Sequence, residues 1–179
     1  MLAKLIGHQK NKGSTLTEII IVVIIVGILA AVAAPSFVGM FSRYKIEEGL
    51  EEIESALKEA QKKAMRESKQ CGVRIDTANN NITGNPSDCL SSDRKLRDDI
   101  NITTNFGSPA SFPTTFQLSF SYKGNYAGIG GKIVVSDVNS SQNRKCLVMT
   151  NGLGIMRTGN YEGDIAQSSS ITDGECNKS

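Results

Sequence analysis

The chain has 179 residues, 20 Lys and Arg against 18 Asp and Glu, four Cys and one His. That length suits one globular domain plus an appendage, and a formal net charge of +2 neither calls for nor excludes a nucleic-acid or membrane partner. The lone histidine, His8, precedes a long apolar run. Ser-His-Asp and Cys-His nucleophiles, His-rich zinc sites and two-His iron sites therefore lack their central residue, which leaves enzymes built on carboxylates alone.

From Ile19 to Ala34 the chain reads IIIVVIIVGILAAVAA, without a charge and broken only by Gly27. Such a helix covers roughly 24 Å. With Leu16, Thr17, Phe37 and Val38 it reaches the ~20 residues of a bilayer span. Lys4, Lys10 and Lys12 stand upstream with no acidic residue before Ser14, so the positive-inside rule keeps the N-terminus cytoplasmic and exports the chain beyond Pro35. An ordinary secretory signal would use Ala30, Ala31, Ala33 and Ala34 for cleavage. Its apolar core is shorter, however, and no carboxylate stands at its start as Glu18 does. An uncleaved anchor is the other plain reading. Thr15-Leu16-Thr17-Glu18 fits a capping box, and its carboxylate suits the positive end of the helix dipole. At a membrane boundary an ionisable group also asks for a partner.

The stretch KGSTLTEIIIVVIIVGILAAVAAPSF resembles the N-terminal signature of type IV pilins and of the pseudopilins of type II secretion. The resemblance implies cleavage by a prepilin peptidase between Gly13 and Ser14 and N-methylation of Ser14. Glu18 then becomes the fifth mature residue and Pro35 the twenty-second. Ser14 departs from the family's usual Phe, which weakens the methylation expectation. The family further implies that Glu18 meets the N-terminal amine of a neighbouring subunit. Its partners are other pilin or pseudopilin subunits, the prepilin peptidase, an inner-membrane assembly platform and the lipid bilayer. The expected location is the inner membrane, single-pass, and then an extracytoplasmic filament.

Pro35 lies inside a helical pattern and is expected to kink it, because the pattern resumes at once. Ile46, Leu50, Ile53, Leu57, Ala60 and Ala64 recur at spacings of three and four, one apolar stripe on an amphipathic helix. A helix from Thr17 to Ser68 would be roughly 78 Å long. A coiled-coil seam is the alternative, but the pattern lasts barely three heptads and ends in alanines. The expected division is a leader over 1–13, a transmembrane and filament-core half over 14–42, an amphipathic half over 43–69 and an extracytoplasmic β-rich head over 70–179.

In the head, CGVRID, INITTNF, FQLSFSY, KIVVSDV and KCLVMTNGLGIMRTG read as strands, the last a hairpin turning at Asn151-Gly152. One long helix followed by strands predicts an α+β fold with an antiparallel sheet on the apolar stripe. The segment 167–179 reads as irregular, held by Cys176. Four cysteines allow three pairings. Export favours disulfides over metal, and no C-x-x-C pair suggests zinc. The favoured pairing is Cys71–Cys89, closing the loop after the helix, with Cys146–Cys176 tying the tail to the last hairpin.

Asp137-x-Asn139-x-Ser141 alternates oxygen donors but lacks the Gly and distal Glu of a calcium loop, so no metal is expected. Asn81, Asn101 and Asn139 begin glycosylation sequons. Arg144, Lys145 and Arg157 are the cations available for DNA phosphates, a contact not favoured because such charges usually form a solvated face. ALKEAQKKAMRESKQCGVRI together with KCLVMTNGLGIMRTG resembles the H-type minor pseudopilins and related minor type IV pilins. A DNA-binding branch of that group carries Gly-Arg-x-Arg, whereas this chain has Gly154-Ile155-Met156-Arg157, which counts against DNA uptake. The expected role is that of a minor, low-abundance pilin or pseudopilin, a structural filament subunit and not an enzyme, with no cofactor. The alternatives are a DNA-receptor minor pilin and an exported, disulfide-stabilised binding domain with an ordinary signal peptide.

Overall fold

The computed structural model describes residues 15–106, 114–163, 165, 171 and 176–177, with side chains left undescribed at 32–38 and 140–142. The chain forms two compact units that divide between Met40 and Phe41. One helix, α1 (Leu16–Glu67), carries 52 residues and passes through Pro35 without a break in its assignment. It ends in a Schellman-type turn: Ser68 takes a left-handed φ of 52° and the Lys69 N–H donates to the Ala64 carbonyl at 3.2 Å.

The strands after the helix are β1 (Cys71–Asp76), β2 (Asn81–Asn85), β3 (Arg94–Lys95), β4 (Ile100–Thr104), β5 (Thr115–Phe120), β6 (Gly131–Asp137), β7 (Ser140–Met149), β8 (Met156–Tyr161) and β9 (Cys176–Asn177). A single sheet was the expectation; the head instead builds two antiparallel sheets, β3-β2-β1-β5 and β4-β6-β7-β8-β9. The five predicted strand runs correspond to β1, β4, β5, β6 and the β7–β8 hairpin. β2, β3 and β9 carry little apolar signal, since β2 buries only Ile82 and β3 and β9 have two residues each. Their partners, not their composition, define them. β9 also replaces part of the expected irregular tail.

Within the head unit the helix stripe closes the core. Ile46, Ile53, Leu57, Ala60 and Ala64 are fully buried and Leu50 nearly so. They join Val73, Ile75, Leu118 and Phe120 of the first sheet and Ile133, Val135, Leu147 and Met149 of the second. Registers Val73↔Leu118 and Ile133↔Leu147 place these pairs on one face of each sheet. Gly49 permits the close approach: a Cβ there would lie 2.7 Å from Ile100 Cδ1. β6 is buried throughout, because Val134 on its outer face meets Cys146, Tyr161 and Ile171 in a second cluster. This double burial explains why KIVVSDV does not alternate.

Polar side chains lock the edges. Arg94 donates to Glu52 Oε1 at 3.1 Å, to Ser55 Oγ at 3.1 Å and to Glu59, fastening the edge strand β3 to α1. Asn80 holds a left-handed φ of 51° and its amide donates to the carbonyls of Arg97 (2.9 Å) and Ile100 (3.1 Å). A buried chain reversal satisfies its backbone acceptors this way.

Candidate assembly interface

The first turn of α1 is capped. The Glu18 N–H donates to Thr15 Oγ1 at 3.4 Å and to the Thr15 carbonyl at 3.0 Å, and the Ile19 N–H reaches the same carbonyl at 3.2 Å. The Thr15 and Thr17 hydroxyls lie 3.1 Å apart. This is the threonine half of a capping box, and it leaves the Glu18 carboxylate exposed at the dipole's positive end. Gly13 and Ser14 lie outside the described residues.

Every residue from Leu16 to Ala31 is exposed, and Ile20 and Leu29 mark the range of the large side chains from Ile19 to Leu29, at 50% and 65%. No face of this stretch is polar below Glu18, so the amphipathic stripe used by the head is absent here. A helix apolar all round is one that belongs inside an apolar surrounding. Among the described residues no helix is long and apolar enough to cross a membrane. The Pro35 backbone is helical, and its side chain is not described.

At the first turns of the helix in the head unit, the Ser42 hydroxyl donates to Asp137 Oδ2 at 2.6 Å and the Asn139 N–H to Asp137 Oδ1 at 2.8 Å. The Asp137 carboxylate therefore fastens the β6–β7 turn to α1. The Ser42 hydroxyl, and then the Asn139 N–H, hold its pKa below the usual carboxylate range. Nearby, Asp99 accepts from Arg97 Nε at 3.0 Å and pairs with Lys45 at 2.7 Å. Arg97 first and Lys45 second pull its pKa down. Among the described residues no group of three or more His, Cys, Asp or Glu side chains is placed to hold a metal.

Two of the three candidate cations, Arg144 and Lys145, share one surface groove, and Arg157 lies outside it. Lys145 shares the face of Leu147 and Met149 toward the helix and pairs with Glu47 at 3.7 Å. Arg144 is half-buried, and its guanidinium donates to the Gly163 carbonyl. Arg157 is exposed, opposite Val148 in the β7–β8 register. Successive strand residues point to opposite faces; Arg144 and Lys145 nevertheless line one groove, with Arg43 and Glu47.

Both disulfides lie in the head. Cys71 is bonded to Cys89 (Cα–Cα 5.4 Å), fastening the start of β1 to the short 3-10 turn Ser87–Cys89. Cys146 is bonded to Cys176 (Cα–Cα 6.1 Å), fastening β9 to β7. A third tie had no sequence signal. The Gln61 amide donates to the carbonyls of Gly124 at 2.7 Å and Gly154 at 3.2 Å, linking α1 to loops from both sheets. Gly154 holds φ +65°, and a Cβ there would lie 2.9 Å from the Gly124 carbonyl. Gln61 looks like any polar-face residue in the pattern, so only the tertiary contact singles it out.

Against known proteins, residues 8–34 match the prokaryotic N-terminal methylation motif, a span that includes Gly13, Ser14 and Glu18. Two fimbrial proteins of Pseudomonas aeruginosa are each 44% identical over 62 residues, 35% of this chain and 40% of the relative. The chain thus spans about 40% of the length of the relatives it matches. In fold it is similar to the minor pseudopilin EpsH of the Vibrio cholerae type 2 secretion system. That match has 14% identity and a TM-score of 0.50, and covers 65% of this chain and 97% of that one. It is also similar to the type IV minor pilin FimU of Pseudomonas aeruginosa, at 10% identity and a TM-score of 0.53, covering 73% and 95%. The chain therefore carries the prokaryotic N-terminal methylation motif at its start and, beyond it, a fold similar to those of EpsH and FimU.

Proposed function

We propose that the chain is a structural, non-catalytic subunit of a type IV pilus or a type II secretion pseudopilus, stored in the inner membrane and then packed into a filament through its N-terminal helix. The observation that carries this reading is the exposure of apolar side chains all round α1 from Leu16 to Ala31 behind a capped, exposed Glu18. Nine of the ten residues from Ile19 to Ile28 are β-branched, a composition that favours strands in water. Lipid, or a bundle of like helices, demands local backbone hydrogen bonding and so favours the helix.

In this reading a prepilin peptidase cleaves between Gly13 and Ser14 and methylates the Ser14 amine. Residues 14–42 anchor the subunit and later line the filament core, with Pro35 as the bend. Residues 43–69 carry the head, 70–179. The Glu18 carboxylate pairs with the cationic N-terminus of a neighbouring subunit, a contact strengthened in an apolar surrounding. Platform proteins of the inner membrane would add the subunit to the filament.

Glu18→Ala tests the reading. The variant should be cleaved and accumulate in the membrane at normal level but disappear from sheared filaments, as followed by immunoblot. Normal incorporation would remove the assembly role. N-terminal sequencing of the mature protein tests processing independently: Ser14 is the expected first residue, whereas a start after the alanines would indicate an ordinary secreted domain.

A further inference from the structure

In the head unit, cations gather at the end that carries the first residues of its helix. Arg43 and Glu47 of α1, Arg144 and Lys145 of β7, and Glu162 just beyond β8 line one groove of about 470 Å³, a size common to ligand-binding clefts. Three cations against two carboxylates leave it a formal charge of +1. The carboxylates are already engaged: Glu47 pairs with Lys145 at 3.7 Å, and Glu162 accepts from the Asn177 amide at 3.4 Å.

The arginines are less well supplied. Arg43 is exposed, and its side chain has no hydrogen-bond or ion-pair partner among the described residues. Arg144 donates from Nη1 to the Gly163 carbonyl, but its buried Nε–H has no acceptor among the described residues. An unmet buried donor is costly. A phosphate drawn to the groove would give that guanidinium an acceptor which its own described chain does not supply, and guanidinium forks suit phosphate oxygens. The amides of Asn143 and Asn160 line the same groove and add neutral donors.

The flanks point to where such a phosphate comes from. Phe41 and Tyr44, which bracket Ser42 and Arg43, are 62% and 65% exposed. Exposed aromatic rings and long cationic stems together mark the headgroup level of a bilayer. Arg43 also follows directly in the chain on residues 14–42, the stretch that the proposed function places in the membrane.

We infer that this groove binds the phosphate of an anionic phospholipid and so holds the head at the membrane surface while the subunit is stored. This rests on the membrane-anchored reading above and gives the head a lipid partner. A nucleic-acid backbone fits less well, because such binding gains from neutralising several phosphates at once, and Arg157 lies outside the groove.

The test uses the full-length chain in detergent, titrated with phosphatidylglycerol or phosphatidylcholine, with bound lipid counted by native mass spectrometry. Phosphatidylglycerol should bind more tightly, and Arg43→Gln should weaken it about fivefold, the worth of one base near an anionic surface. Phosphatidylcholine binding and the unfolding midpoint should not change, because Arg43 is exposed and unpartnered among the described residues. Lys62→Gln removes an exposed base further along the same helix and should change neither lipid's binding. The leader lysines remain in every variant, so the difference between variants reports the groove. Equal binding of the two lipids, or equal losses in Arg43→Gln and Lys62→Gln, would overturn the site. Displacement of the lipid by an equal concentration of inorganic phosphate would make it a free-anion site and overturn the lipid assignment. So would binding of a duplex oligonucleotide that is lost in Arg43→Gln, without preference for phosphatidylglycerol. All of these leave the anchored reading standing, whereas recovery of the unaltered chain from the soluble fraction of cells would overturn that reading itself.

Discussion

Two regions of α1 use the same residues for opposite ends. Ile24 and Ile25 in the first unit are more than half exposed, whereas Ile46 and Ile53 in the head are fully buried. Secondary structure and the isoleucines themselves are the same in the two places; their spacing among charged residues differs. Isoleucines spaced by three and four turn one stripe toward sheets that their own chain supplies, and an unbroken run leaves no face for water. Among the described residues the head therefore builds its core from its own strands and helix stripe, and the helix start has an apolar surface that the described chain does not cover. The difference predicts where stability and assembly separate.

The largest expected effect contrasts the two regions directly. Leu57→Ala should cost roughly 2–5 kcal/mol in denaturant unfolding of the full chain in detergent, since a buried leucine leaves a cavity. Ile24→Ala should change that unfolding by less than about 0.5 kcal/mol, as exposed sites do. Equal losses would break the comparison.

Removing the second disulfide by Cys146→Ser with Cys176→Ser opens a loop of 30 residues, worth about 3.6 kcal/mol on the loop-entropy model. The loss should appear as reduced unfolding free energy of the head, with processing at Gly13 unaffected. A parallel loss of processing would join the two regions rather than separate them.

The acid response is smaller and again confined to the head. Asp99 and Asp137 have folded pKa values below their ordinary ones. Their contribution to stability is therefore fully present above about pH 4 and is lost as pH falls through the folded values. Ser42→Ala removes the first cause of the Asp137 shift and should make the acid limb of the unfolding midpoint shallower. An unchanged limb would assign the response to other carboxylates.

Much of this was legible in the residues. The buried stripe follows from spacing alone, because a helix brings positions three and four apart onto one face. The end of the helix and five strand runs follow from a change of texture at Lys69. The division of the head into two sheets was not legible: β2 becomes a strand by pairing with β1, and β3 by pairing with β2 and through the Arg94 clamp. Asp137-x-Asn139 reads locally as a set of oxygen ligands, and only the approach of Ser42 shows the carboxylate as a turn fastener.

What the amino-acid sequence determined by itself was the order of environments along the chain: basic leader, uncharged run, one-sided helix, strands. Each is a matter of local composition and period, which needs no fold to exist. What only the tertiary structure decided was which distant groups meet. Gln61 between two glycine carbonyls, Arg144 turned to the Gly163 carbonyl, and Ser42 meeting Asp137 each depend on chain reversals. Those reversals arise from packing of the whole head, and no local pattern encodes them.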